Sequence, residues 1–327
     1  MRFALNRTAF YIFTAWAAIT INFFLPRMLK GDPVSAYMQK NQGKITPDAA
    51  NALRTLFGLD DGKNLWEQYL DYWKLLFSGD LGRSFSKGLA PVGEVIIQAL
   101  PWTVGLVGIA TIISFALGTM LGAIIGWNRG SKSEIIVPIA QFFSTVPYFW
   151  MGLIAIAVFS TGLGWFPASH AYNKGSIPEL SIQFIGEVIH HGLLPAITIV
   201  VSSLGGWVLG MRNMMVTVLD EDYVMVAQAK GLKPRRVLWT YAARNAVLPQ
   251  FSSFALSLGF IVSGTLVMEL VFSYPGVGKL LLDATNAKDY PLMQGIFLII
   301  TLTVLAANIF ADIVYVWLDP RARSLES

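Results

Sequence analysis

Long apolar stretches separated by short polar segments dominate the chain, and six of them reach the length of a membrane span. A helix needs about 20 mostly apolar residues to cross about 30 Å of hydrocarbon. The stretches are residues 8–25, 100–127, 135–161, 193–218, 247–274 and 291–318. Pro138, Pro147, Pro195 and Pro249 fall inside them or at their ends, where neighbouring helices can re-satisfy freed backbone groups. The first stretch follows Arg2 and Arg7, as in a signal peptide. Pro26-Arg27-Met28 offers no small-residue cleavage site, so an uncleaved anchor is expected. The expected fold is an all-α integral membrane protein with six transmembrane helices. It divides into an anchor (1–25), a long outer insert (26–99), a five-helix core (100–318) and a tail (319–327).

Lys and Arg placement orients the chain. With the amino terminus inside, inner segments hold Arg2 and Arg7, Arg129 and Lys132, then Lys230, Lys233, Arg235, Arg236 and Arg244, and finally Arg321 and Arg323. The short outer loops carry only Lys174, Lys279 and Lys288. Arg27 and Lys30 oppose this orientation, but they belong to a long translocated segment, where charge weighs little. In that insert, Thr46-Pro47-Asp48 reads as the start of a short helix through Leu56, with Gly58 following. Leu65, Tyr69, Tyr72, Trp73 and Leu76 recur at helical spacing, which predicts an amphipathic helix over residues 64–77, ended by Gly79-Asp80-Leu81-Gly82. Such aromatics pack a small cap or lie at the membrane interface; contact with a partner protein is a third reading.

Composition agrees with lipid as the solvent. Of 327 residues, 54% are hydrophobic and 13% charged, against about a quarter charged in soluble domains. The net charge of +4 reflects bases flanking spans, and no long basic stripe suggests nucleic acid. With no cysteine, disulfide frameworks and thiolate metal sites are excluded. His170, His190 and His191 cluster before the fourth span, but adjacent histidines on a helix point apart and make a poor chelate, so no metal site is expected.

The segment 219–246 is longer than a connection requires. It opens with Asp220-Glu221-Asp222-Tyr223, continues as a helical AQAKGL, and passes Lys233-Pro234-Arg235-Arg236 into a second helical stretch. Acids at the start and bases toward the end suit a helix dipole, and Gly231 permits a sharp turn. A short helix along the inner face is a shape another protein can grip; a solvated surface helix is the plainer reading.

The run EDYVMVAQAKGLKPRRVLWTYAARNAVLP, beginning at Glu221, resembles the cytoplasmic loop of permease subunits of binding-protein-dependent ABC importers, in the peptide and nickel branch. Met225, Val226 and Ala227 stand where the wider superfamily has Glu-Ala-Ala, whereas the A-x-A-K-G-L core matches. FSGDLGRSF, MELVFSYPGVGKLL with KDYPLMQG, and ADIVYVWLDPRAR resemble further stretches of the branch in the expected order, and the long insert resembles its B-type subunit. The resemblance implies a type I ABC importer transmembrane-domain fold. It also implies a homologous second permease subunit, two ABC ATPase subunits that hold the ATP and Mg²⁺, and an external solute-binding protein, all in a prokaryotic cytoplasmic membrane. By the same resemblance, Asp222, Tyr223, Ala227, Ala229, Lys230, Gly231, Leu232, Pro234 and Arg235 would couple the permease to the ATPase. Peptides are the expected cargo, with oligosaccharides or nickel as alternatives.

The chain itself is not expected to be an enzyme or to bind a cofactor. Gly276-Val277-Gly278-Lys279 lacks the upstream glycine of a phosphate loop, and Leu280 replaces its Mg²⁺-binding hydroxyl, so a turn is expected there. A polytopic membrane enzyme would need a catalytic motif, and none is found; a passive channel has no use for a gripped inner loop. Within the spans, Ser202, Ser203, Glu269, Asn308 and Asp312 are candidates to line a pathway or to bond between helices. Gly205, Gly206 and Gly210 give the fourth span a small-residue face.

Overall fold

A computed structural model describes residues 2–28, 64–179, 181–259, 261 and 266–318. The helix expected from Thr46 lies outside them. The described chain is helical, with no strand beyond an isolated bridge between Arg83 and Pro91. It forms two compact units, Met1–Pro101 with Gly276–Leu305, and Trp102–Pro275 with Ala306–Ser327.

The first unit is built on α1 (Arg2–Phe24), which contains neither glycine nor proline and ends where Pro26 disfavours helical geometry at Leu25. Helix α2 (Leu65–Phe77) matches the amphipathic expectation. Asn64 and Glu67 close a reciprocal capping box: the Glu67 N–H donates to Asn64 Oδ1 at 2.9 Å and the Asn64 N–H to Glu67 Oε2 at 3.1 Å. Its tyrosines seat on the end of α1. The Tyr69 and Thr20 hydroxyls are 2.7 Å apart, Asn22 Nδ2 donates to the Tyr72 hydroxyl at 3.3 Å, and the fully buried Phe23 packs edge-on against Tyr69.

The loop after α2 is pinned by one buried carboxylate. Asp289 Oδ2 accepts from the Ser84 hydroxyl at 2.5 Å and from the Ser86 hydroxyl and N–H at 2.8 Å each. Its Oδ1 accepts the Leu292 N–H at 3.2 Å, capping the last helix. Two stretches that resemble family signatures, FSGDLGRSF and KDYPLMQG, are therefore halves of one clasp. The PGVG sequence, expected to be a turn, bends at Pro275-Gly276 and then starts a helix at Val277, with Val277, Leu280, Leu281 and Ala284 buried. That spacing of one, four, five and eight fits a helical face and outweighs the local turn signal.

In the second unit the most extensive pairing joins α3 (Val92–Trp127, shared with the first unit) to α6 (Ile182–Leu219). Gly118, Gly122 and Gly126 recur every fourth residue on α3 and let the α6 backbone approach. A Cβ on Gly122 would lie 2.5 Å from the Val208 carbonyl oxygen, and one on Gly126 2.6 Å from the Met215 Cβ. Close approach through small residues is the usual basis of helix association in lipid.

The expected third span is bent by 93° between α4 (Lys132–Thr145) and α5 (Tyr148–Gly162), the geometry of a broken span or a re-entrant loop. Val146 is extended because it precedes Pro147. Helix α6 starts at Ile182, earlier than expected, and takes His190 and His191 into the helix. The expected fifth span is described as α8 (Arg244–Gly259) and α9 (Leu266–Val271), followed by α10 (Val277–Asn286) and α11 (Tyr290–Leu318). Among the described residues three helices are long and apolar enough to cross a membrane, or four if the bent pair is one span; the apolar part of α1 is shorter.

Candidate functional site: a capped helix hooked under the bundle

At the end of α6, Asp220 terminates the helix and Glu221 begins α7 (Asp222–Ala229). The exit from α7 is a Schellman motif. The Leu232 N–H reaches back to the Ala227 carbonyl at 3.4 Å and the Gly231 N–H to the Gln228 carbonyl at 2.9 Å. The motif needs a left-handed residue, and Gly231 has φ +71°. Leu232 is thereby folded onto the same cluster as Ala227, together with Val224, Val237 and Tyr241. Lys233 is extended before Pro234, which opens the next helical turn at its first position. A wider, π-helical stretch from Val237 to Ala243 then leads into α8. Its Leu238, Ala242 and Ala243 pack on Met211 and Met215 of α6.

This architecture sorts the expected coupling residues into two sets. Ala227 is 3% exposed and seats α7 on the chain's own body, as does the half-buried Leu232. Asp222, Tyr223, Ala229, Lys230, Gly231, Pro234 and Arg235 are exposed. Met225 and Val226, which the sequence singled out only as departures from a pattern, are 50% and 51% exposed and put apolar surface on the outward side of the hook, as does Trp239. The sequence alone offered no clear cue: in VMVAQA the three-residue spacing pairs Val224 with Ala227 but equally Val226 with Ala229, and only the packing selects the first pair as the inward face.

Charged pairs brace the same end of the bundle. Arg129 donates to the Val216 carbonyl and lies 3.7 Å from Asp220, a cation at a helix C-terminus where the dipole favours it. Arg212 pairs with Glu134 at 3.1 Å. Arg212 falls inside the expected fourth span, and an ionised residue there is a signal in its own right.

The candidates within the spans are dispersed. Ser203 meets Ser114 of α3 at 2.9 Å, and Ser202 donates to the Thr198 carbonyl at 2.7 Å, facing Met151. Glu269 is buried and accepts from the Thr103 hydroxyl at 2.5 Å. Asn308 is half-buried on α11; Asp312 follows one turn later, with its side chain outside the described residues. The structure thus brings Ser203 to α3 and Glu269 to Thr103. At the other end of α6, His191 Nδ1 sits 3.1 Å from the Ser169 carbonyl and Nε2 3.1 Å from Asn173 Oδ1, holding the preceding loop. No group of three metal-ligating side chains occurs among the described residues.

The hook and the bundle behind it lie within a region, residues 118–324, that matches the model of the family "Binding-protein-dependent transport system inner membrane component". Similarity to individual proteins extends along the whole chain. The oligopeptide transport system permease protein AppB of Bacillus subtilis is 32% identical, covering 98% of both chains. The di/tripeptide transport system permease protein DppB of Pseudomonas aeruginosa is 35% identical over 99% of both, and the dipeptide permease DppB of Escherichia coli 31% over 99% of both. The chain is a multi-pass membrane protein that belongs to the binding-protein-dependent transport system inner membrane component family.

Proposed function

We propose that this chain is the permease subunit of an ATP-driven importer that carries peptides across the cytoplasmic membrane. The observation that carries the reading is similarity from end to end to three permeases named for oligopeptide, di/tripeptide and dipeptide transport. Six spans with the amino terminus inside would place α7 in the cytosol. A homologous second permease would complete the pathway, an external binding protein would deliver the peptide, and two ATPase subunits would bind ATP and Mg²⁺.

In this reading Tyr223, Met225, Val226 and Lys230 contact the ATPase, while Ala227 and Leu232 transmit its displacement to α6 and α8. A hook capped at Gly231 and packed from beneath moves as one body, so closure of the ATPase dimer would rock the helices behind it between two arrangements. The test is ATP-dependent uptake of a labelled tripeptide by the complex in proteoliposomes with its binding protein, beside an oligosaccharide and Ni²⁺. Peptide uptake is expected; uptake of the sugar or the metal alone would replace the substrate assignment. Val226→Glu, at an exposed site, should lose ATPase subunits on affinity purification and Val226→Ala retain them. Full retention by the Glu variant would refute the docking face.

A further inference from the structure

Helix α2 has a second apolar face that the described chain leaves largely uncovered, its Trp73 half-buried beside Tyr69 and the rest of it open. At 100° per residue, Trp66, Leu70, Trp73 and Phe77 fall within one narrow stripe, separate from the one by which Tyr69 and Tyr72 approach α1. Trp66 is 65% and Phe77 83% exposed, and Leu70 is exposed as well. Glu67, Asp71 and Lys74 border the stripe on the side away from α1, with Lys74 and Asp71 paired at 3.1 Å.

The depth of this helix is set by its bonds to α1. Thr20, which meets the Tyr69 hydroxyl, is four residues before the end of the apolar segment Ala9–Phe24, and Asn22, which meets Tyr72, is two before it. At 1.5 Å per residue these are about 6 Å and 3 Å inside that end. Helix α2 is therefore fastened level with the last turn of an apolar helix rather than above it. On α1 the apolar side chains Phe13, Trp16, Ile21 and Phe24 are exposed, and so are Leu25 and Met28 beyond its end. Tryptophan prefers the depth where hydrocarbon meets headgroups, and amphipathic helices lie there with their polar side to water.

We propose that the Trp66–Leu70–Trp73–Phe77 face of α2 is embedded in the headgroup–acyl boundary of the bilayer, so that the helix is a membrane-surface anchor for the insert. The proposal rests on α1 crossing the membrane, as the proposed function requires. It is independent of the cargo.

The native chain contains no cysteine, so single spin labels can be placed without removing any residue. Leu70→Cys, Phe77→Cys, Lys74→Cys and Phe13→Cys would be labelled in the full-length chain, purified with its co-expressed partner subunits. Each would be measured in nanodiscs of phosphatidylethanolamine and phosphatidylglycerol by power saturation with oxygen and with a water-soluble nickel chelate. Labels at 70 and 77 should favour oxygen, as at 13, while the label at 74 favours nickel. Nickel preference at 70 and 77 with oxygen preference at 13 would overturn the surface anchor alone. Shielding of 70 and 77 from both reagents would assign the face to a protein partner and equally overturn it. Nickel preference at 13 would remove the premise, and the proposed function with it.

Discussion

Replacing Asp289 by alanine removes one fully buried carboxylate and disturbs two elements at once. On one side α11 loses its cap, the Leu292 N–H to Oδ1 bond at 3.2 Å, and losing an N-cap costs about 1 kcal/mol. On the other side three donors lose their acceptor. Ser86 is half-buried and can turn to water, but the Ser84 hydroxyl is fully buried beside the vacated site and keeps at best a long contact of 3.4 Å to the Ser86 hydroxyl. An orphaned buried donor costs about 1–3 kcal/mol. Together the loss is about 3 kcal/mol, reduced by relief from desolvating the carboxylate. At roughly 2–4 °C per kcal/mol for larger domains, melting should fall by at least about 5 °C. Asparagine should rescue only part of it, because just one of its two polar atoms accepts and the carboxylate uses both. Melting is followed by tryptophan fluorescence in detergent. Ser84→Ala in the Asp289→Ala background should recover part of the loss, since it deletes the orphan. A single variant melting within about 1 °C of the parent, or strict additivity of the pair, would refute the clasp.

Gly231→Val forces a β-branched residue into a left-handed conformation, at a cost of about 1–3 kcal/mol against the observed φ of +71°. Peptide uptake should drop while ATP hydrolysis and membrane insertion persist; undiminished uptake would show that the cap geometry is dispensable. Gly122→Leu should separate α3 from α6 and lower both yield and melting temperature, whereas Gly206→Ala, with open space at its Cβ, should behave like the parent. Burial raises the Tyr72 pKa above its ordinary value of 10.0, with the Asn22 hydrogen bond and Arg27 opposing. The folded state then holds this proton more tightly than the unfolded chain, so the contribution is complete below pH 10 and lost as pH rises through the folded value. Tyr72→Phe should flatten that part of a melting profile taken from pH 8 to 11; an identical slope in both would refute it.

The sequence made the helical, membrane-bound character legible because lipid imposes one demand, apolar residues over a fixed length. The α2 helix was equally readable, from the spacing of Leu65, Tyr69, Tyr72, Trp73 and Leu76. Two boundaries were not. Hydropathy runs unbroken through residues 135–161, yet the chain turns by 93° at Val146-Pro147, because proline's constraint on its predecessor is local and leaves no trace in an average over 20 residues. The start of α6 was hidden the other way. Glu187, His190 and His191 lower the hydropathy of a continuous helix, although their bonds to Ser176, Trp165 and Asn173 keep them in place.

The hook shows why a motif gives a place more readily than a role. A-x-A-K-G-L is a Schellman exit in which glycine supplies the backbone angle, Leu232 the returning contact and Ala227 the small buried partner beneath it. Each of these three requirements is internal to the chain. A segment under such constraints would look the same from one relative to another even if nothing docked on it, so the motif alone argues for a rigid hook and not for a partner. It is the opposite face that points to a partner. There Met225 and Val226 hold apolar side chains in the open, on a helix whose inward side already has its core. Burying them against a second protein stabilises that complex and costs the hook nothing, which is why substitutions at 226 separate docking from folding, and substitutions at 227 cannot.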